Sequence, residues 1–139
     1  MLVGEIRVAI NSDQDIVLAR QKGRSLAAEA GFSAVDSTLI ATAISELARN
    51  IVSYAKTGEI LLTTLQESRR KGILIVASDN GPGIPDIRLA LRDGFSTSGS
   101  LGLGIPGVRR LVDEFQIVSS IGQGTVVKVT KWRQDQHEK

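Results

Sequence analysis

Four short clusters in this 139-residue chain have the residue types and spacing to do chemistry. Glu46 and Asn50 stand four apart in the run ISELARNI, so on a helix they share a face. An amide oxygen there can ligate Mg²⁺, a hard cation that takes oxygen ligands and keeps several waters. A carboxylate beside it can accept the proton of an attacking hydroxyl or water. At about 100° per residue, Asn50 lies roughly 80° from the centre of the apolar stripe and Glu46 about 40° further round. Both therefore flank the buried face, where a cleft against a sheet can open. An ordinary polar helix flank is the other reading of the same pair.

The second cluster is DNGPG. It follows the apolar run ILIVAS, which puts Asp79 at a strand end. A carboxylate there can accept a hydrogen bond from an amino group on a bound ring, while Gly81 and Gly83 let the backbone approach a flat ligand. The same five residues also make a turn anywhere. The third cluster is the glycine-rich run over residues 93–107, DGFSTSGSLGLGIPG. Gly99, Gly102 and Gly104 let N–H groups wrap anionic oxygens, Ser and Thr hydroxyls add donors, and a helix N-terminus at its end favours a phosphate. A plain loop is the competing reading. The fourth is GQGT, a hairpin turn whose Thr125 can add a hydroxyl to a ring pocket.

These clusters need elements to hold them. Residues 5–10 alternate as a strand. Residues 13–30 read as a helix with Ile16, Ala19, Gly23, Leu26, Ala27 and Ala30 on one side, capped by Ser12 or Asp13 and ended by Gly31. Residues 33–55 read as a second, long helix with the stripe Leu39/Ile40, Ala43/Ile44, Leu47 and Ile51. Residues 58–66 and 72–78 form an antiparallel hairpin across ESRRKG. Residues 79–104 form a long Gly-, Pro-, Ser- and Thr-rich loop with one helical patch at 87–92, and loops of that length usually bind or cover something. Pro106 suits the first turn of a helix running to about residue 114. Residues 115–121 and 125–132 close the chain as a hairpin. The expected fold class is α/β, an α+β two-layer sandwich: a mixed, mostly antiparallel sheet with helices on one face. Residues 1–139 form one domain, with 133–139 a polar, frayed tail.

Composition narrows the classes. The chain is 42% hydrophobic, enough for a core without staples, and it holds no cysteine, which removes disulfides and thiolate metal sites. A reducing, cytoplasmic setting follows as an expectation. No apolar run approaches the ~20 residues of a membrane span, and MLVGEIRVAINSDQD lacks the layout of a secretory signal. With a net charge of +2, the short basic clusters Arg69-Arg70-Lys71 and Arg109-Arg110 read as a solvated turn and helix face, so no nucleic-acid partner is expected. The one histidine, His137, lies in the tail, which argues against histidine-based catalysis or metal binding.

Three nucleotide-site patterns fail. GLGIPG fits G-x-G-x-x-G, but a polar run precedes it and no Asp or Glu follows about 20 residues on, as a dinucleotide fold needs. The pattern G-x-x-x-x-G-K-[ST] is absent, and so is the HRD…DFG kinase set. The order E-x-x-x-N on a helix, D-x-G-x-G after a strand, G-x-G-x-x-G before a helix and G-x-G-T in a closing hairpin resembles the GHKL ATP-binding (Bergerat) fold. That family includes histidine-kinase catalytic domains, Hsp90, DNA gyrase and MutL. The resemblance spans residues 5–132. Within the family, the size is similar to that of the bacterial switch kinases RsbW, SpoIIAB and RsbT. The strings ISELARNI, DNGPGIPDIR, DGFSTSGSLGLGIPGV and RLVDEF, then GQGT and KW, resemble RsbT-type serine/threonine-protein kinases.

The resemblance implies ATP and Mg²⁺ as cofactors. It implies phosphorylation of STAS-domain stressosome proteins (RsbS/RsbR-like), then activation of an RsbU-like phosphatase by the released kinase in a stress-signalling partner switch. The other class it leaves open is an ATP-binding anti-sigma factor that acts by sequestering a partner. By motif, Glu46 would be the general base, Asn50 the Mg²⁺ ligand and Asp79 the acceptor for the adenine amino group, with Gly81 and Gly83 shaping that pocket. Gly99, Gly102, Leu103 and Gly104 would line the phosphates, Thr97 and Ser98 would lie on a mobile lid, and Thr125 would sit near adenine. No cation is assigned to the γ-phosphate: Arg49 is expected to point elsewhere on its helix, and Arg109 lies a turn or less past the glycines.

Overall fold

The computed structural model describes residues 2–82 and 104–133. Strand β1 (Leu2–Ile10) leads to helices α1 (Asp13–Glu29) and α2 (Ala34–Asn50), and a π-helical turn (Ile51–Ala55) continues α2. Strands β2 (Gly58–Glu67) and β3 (Arg70–Asp79) follow, then helix α3 (Gly104–Leu111) and strands β4 (Glu114–Ser120) and β5 (Gly124–Trp132). The five strands form one sheet in the order β1-β2-β3-β5-β4, and every pairing is antiparallel.

Alternation along the strands decides which face is covered. The register sets Val8 opposite Ile60, Ile60 opposite Ala77, and Ala77 opposite Val127. One row further on, Leu62, Ile75 and Val129 line up in the same way. These residues are buried together with Ile16, Ala19 and Ala27 of α1 and Ile40, Ala43, Ile44 and Leu47 of α2, so one face of the sheet carries the helices. Each fully buried Ile or Leu contributes roughly 1.5–3 kcal/mol. The expected two-layer arrangement holds, and its sheet is wholly antiparallel among the described residues.

Local signals set the helix starts. The Ser33 hydroxyl accepts the Asp36 N–H at 3.0 Å and caps α2. Before α1, the Asp15 carboxylate reaches back to the Asn11 N–H at 2.8 Å. Two expected ends move. The second helix does not run as one α-helix over 33–55: from Ile51 it widens into the π turn, closed by the Lys56 N–H on the Ile51 carbonyl at 2.8 Å. The last helix stops at Leu111 rather than near 114, because Asp113 is drawn to β5. Its N–H donates to the Thr130 carbonyl at 2.9 Å, and its carboxylate accepts the Trp132 N–H at 2.6 Å.

At the far end of the sheet Trp132 is buried over Gly72. Its Nε1 donates to Glu114 at 2.8 Å, and the Arg70 guanidinium stacks 3.7 Å from the ring centroid. Arg70 is thus a packing residue as well as part of a solvated turn. Arg133 is tied at both ends, by its N–H to the Lys71 carbonyl at 2.8 Å and by its guanidinium to the Ala30 carbonyl at 3.3 Å. The rest of the expected tail, with His137, lies outside the described residues, as does the helical patch at 87–92. Among the described residues no helix is long and apolar enough to cross a membrane.

Candidate functional site

The site is assembled at the end of the sheet opposite Trp132. The register puts Asp79 at the last position of β3, directly across from Thr125 of β5 and beside Gly58 of β2. Asp79 makes the turn that one of the two sequence readings expected. Its Oδ1 accepts the Gly81 N–H at 2.8 Å, which makes DNG a turn, and that turn fixes the carboxylate at the strand end.

The closing hairpin is locked onto this turn. The Gly122 N–H donates to the Pro82 carbonyl at 2.8 Å. Gly124, at φ +98°, lies directly against the Asp79 carbonyl, where a Cβ would collide with main-chain atoms of Asp79 and Asn80. Next to it the hydroxyls of Ser119 and Thr125 are hydrogen-bonded at 2.8 Å, and the Ser119 hydroxyl also donates to the Gly124 carbonyl at 3.1 Å. Ser119 was not singled out from the sequence. Its signal was there, since a hairpin closed at IGQG places residue 119 opposite residue 125.

The two helix residues sit on the other side of the site. Glu46 is 6% exposed, deeper than the helical-wheel angle implies, because α3 covers that flank of α2. Its Oε1 accepts the N–H of Gly104, the first residue of α3, at 3.2 Å. Its Oε2 is paired with the Arg49 guanidinium. Arg49 was expected to point elsewhere, and this corrects it: three residues on, it lies on the same side of α2, within reach of the carboxylate. Arg109 is exposed in the last turn of α3. Asn50 is half-buried at the end of α2.

The π turn joins the two halves. A Cβ on Gly81 would stand 2.6 Å from the Cβ of Ala55, so the DNGP turn rests on the last residue of the π turn that begins directly after Asn50. Of the expected site residues, Glu46 is brought onto Gly104, Asp79 is brought across from Thr125, and Gly81 is brought against Ala55. Gly83, Thr97, Ser98, Gly99, Gly102 and Leu103 lie outside the described residues. A cavity of about 580 Å³ opens beside Asp79 and Thr125, with Asn11, Glu59, Ser78 and Ser119 also on its walls. Glu46, Asn50 and Gly104 do not line it, and its walls at Glu59, Ser78 and Val126 alternate with the core-facing residues, so it opens partly on the sheet face away from the helices.

A helix carboxylate joined to the glycine that opens α3, a strand-end Asp and a Gly-x-Gly-Thr hairpin, carried on this sheet and these helices, are the parts of a Bergerat-type ATP-binding fold. The chain belongs to the histidine kinase-, DNA gyrase B- and HSP90-like ATPase family, which its residues 35–135 match. It is 54% identical over 125 residues to the serine/threonine-protein kinase RsbT of Bacillus subtilis (strain 168), covering 90% of this chain and 94% of that one. It is 28% identical over 127 residues to an anti-sigma F factor of Caldanaerobacter subterraneus subsp. tengcongensis, covering 88% and 89%. Among solved structures, the RsbU and RsbW domains of Rv1364c from Mycobacterium tuberculosis share the fold at a TM-score of 0.65 and 19% identity. That match covers 95% of this chain and 34% of the other, so this chain spans about a third of that structure. The mycobacterial sensor histidine kinase MprB shares it at a TM-score of 0.55 and 15% identity, covering 94% and 99%. The expected class, an ATP-using serine/threonine protein kinase of the RsbT type, is borne out.

Proposed function

We propose that this chain transfers the γ-phosphoryl group of ATP to a serine or threonine of an STAS-domain stressosome protein (RsbS/RsbR-like). Released from that product, it then binds and activates an RsbU-like phosphatase, acting as both enzyme and switch partner in a cytoplasmic stress response. The observation that carries the reading is the Glu46–Gly104 hydrogen bond at 3.2 Å. In this reading that bond holds the proton acceptor at the end of the phosphate-side glycine box. The 54% identity to a kinase named RsbT supports the choice of substrate and partner.

In the proposed reaction the substrate hydroxyl oxygen bonds to the γ-phosphorus. The bond from that phosphorus to the β–γ bridging oxygen breaks, ADP leaves, and the hydroxyl proton passes to Glu46. Phosphoryl transfer needs positioning and charge neutralisation more than covalent help. Asp79 holds the adenine amino group, Gly81 and Gly83 shape its pocket, and Thr125 lies beside it with its hydroxyl oriented by Ser119. Gly99, Gly102, Leu103 and Gly104 surround the phosphates, with Thr97 and Ser98 on a lid. The Asn50 amide fits Mg²⁺, which near phosphates is commonly held by one or two protein oxygens plus phosphate and water. Mg²⁺ supplies neutralisation of the phosphate charge when bound.

The test is a transfer assay with Mg-ATP and an STAS-domain protein from the same operon, read by intact mass. Gain of one phosphate on the STAS protein, lost with Asn50→Ala, is the expected result. ATP binding without any transfer would sink the kinase reading. The 28% likeness to an anti-sigma F factor supports a second reading, ATP-dependent sequestration of a partner. Capture of a sigma factor in place of the STAS protein and phosphatase would favour it.

A further inference from the structure

We infer that Arg49 is a positioning residue for phosphoryl transfer, holding the Glu46 carboxylate in the orientation that accepts the substrate proton. This rests on the reading of Glu46 as the proton acceptor. Glu46 is 6% exposed. A carboxylate withdrawn that far from water needs donors or a cation facing it to replace lost hydration. Two such groups face it, and they take different oxygens. The Gly104 N–H binds Oε1 at 3.2 Å, and the Arg49 guanidinium binds Oε2.

Each carboxylate oxygen offers two acceptor positions. Ties to both oxygens leave acceptor capacity for an incoming hydroxyl while preventing the group from turning about Cγ–Cδ. A single tie would leave that rotation open. The main-chain N–H carries no net charge, so Arg49 also supplies the cation that offsets the loss of hydration. Its side chain is 39% exposed, at the open side of the pair. A guanidinium holds its charge at any working pH and presents its donors in a rigid fork. A lysine keeps the charge on a flexible stem and loses the fork.

The geometry also fits a plainer role, since a cation in the last turn of α2 favours the helix dipole. A double-mutant cycle separates the two. The full chain would be compared as Arg49→Ala, Arg49→Lys, Glu46→Gln and the Glu46→Gln/Arg49→Ala pair. Mg-ATP affinity is read by calorimetry, and single-turnover transfer to the STAS-domain protein by intact mass. Arg49→Ala is expected to bind ATP within about threefold of the parent and to slow transfer about tenfold to a hundredfold, the scale of a ~1 Å misplacement. Arg49→Lys should fall between. The double variant should be no slower than Glu46→Gln alone, because Arg49 has nothing left to position.

Parental transfer by Arg49→Ala would overturn the inference. So would a double variant whose losses multiply, which would place Arg49 on the nucleotide rather than on Glu46. If Arg49→Ala does not fold, Arg49→Lys is taken through the same cycle. Parental transfer by Glu46→Gln is a separate result that removes the reading of Glu46 itself.

Discussion

Glu46 on α2 accepts the backbone N–H of Gly104, 58 residues further along the chain, at 3.2 Å. The bond crosses from one long helix to the start of another and ties the carboxylate motif to the glycine motif. A backbone donor is a firm anchor, because it moves only if the helix start moves. The position of the carboxylate is therefore coupled to the path of the chain entering α3.

Glu46→Gln tests the carboxylate. Glutamine keeps an oxygen to accept the Gly104 N–H but cannot take up a proton. ATP affinity should stay within about threefold, while transfer falls by roughly a hundredfold or more, the usual scale for a lost general base. Calorimetry and a transfer time course on the same preparation check both halves.

Gly124→Ala tests the contact between the hairpin and the Asp79 turn. The added methyl meets the Asp79 carbonyl at a φ of +98° that L side chains rarely adopt. Stability should drop by about 2 kcal/mol or more. Nucleotide affinity should fall as well, because the Asp79 carboxylate moves with its strand end. Urea denaturation gives the first number and a nucleotide titration the second.

Trp132→Phe tests whether the two ends of the sheet are independent. Trp132 pairs with Gly72, seven residues along β3 from Asp79. Losing the indole N–H to Glu114 should lower stability by about 1 kcal/mol. Transfer and ATP affinity should not change. A loss of transfer in a folded variant would mean that the ends are coupled.

Lys56→Gly tests the strain that closes the π turn. Lys56 sits at φ 75°, ψ −44°, close to the rare γ-turn conformation. Strain of this kind costs about 1–3 kcal/mol, and glycine removes it at an unfolded-state entropy cost of about 0.4–1 kcal/mol. The melting temperature is expected to rise by a few degrees. A fall would show that the side chain contributes more than the strain removes.

Much of this was legible in order along the chain. Alternation in 5–10 and the stripe from Leu39 to Ile51 are local patterns of period 2 and 3.6, and they place a strand and a helix without reference to the fold. The four motifs were also readable, because each is a short string with its own turn or helix chemistry. What no local pattern carries is contact between distant segments. Arg49 looked misdirected on a helical wheel although three residues' spacing puts it within reach of Glu46, and only the approach of α3 buries that carboxylate. The π turn at Ile51 has no sequence signal of its own, and its last residue, Ala55, meets Gly81 from 26 residues further on. The end of α3 was misplaced because Asp113 is claimed by β5, 17 residues further on at Thr130. By itself the sequence determined the elements, the motifs and the family, since these rest on neighbouring residues. The tertiary structure decided which motif touches which, because hydrogen bonds and steric exclusion act across space whatever the separation along the chain.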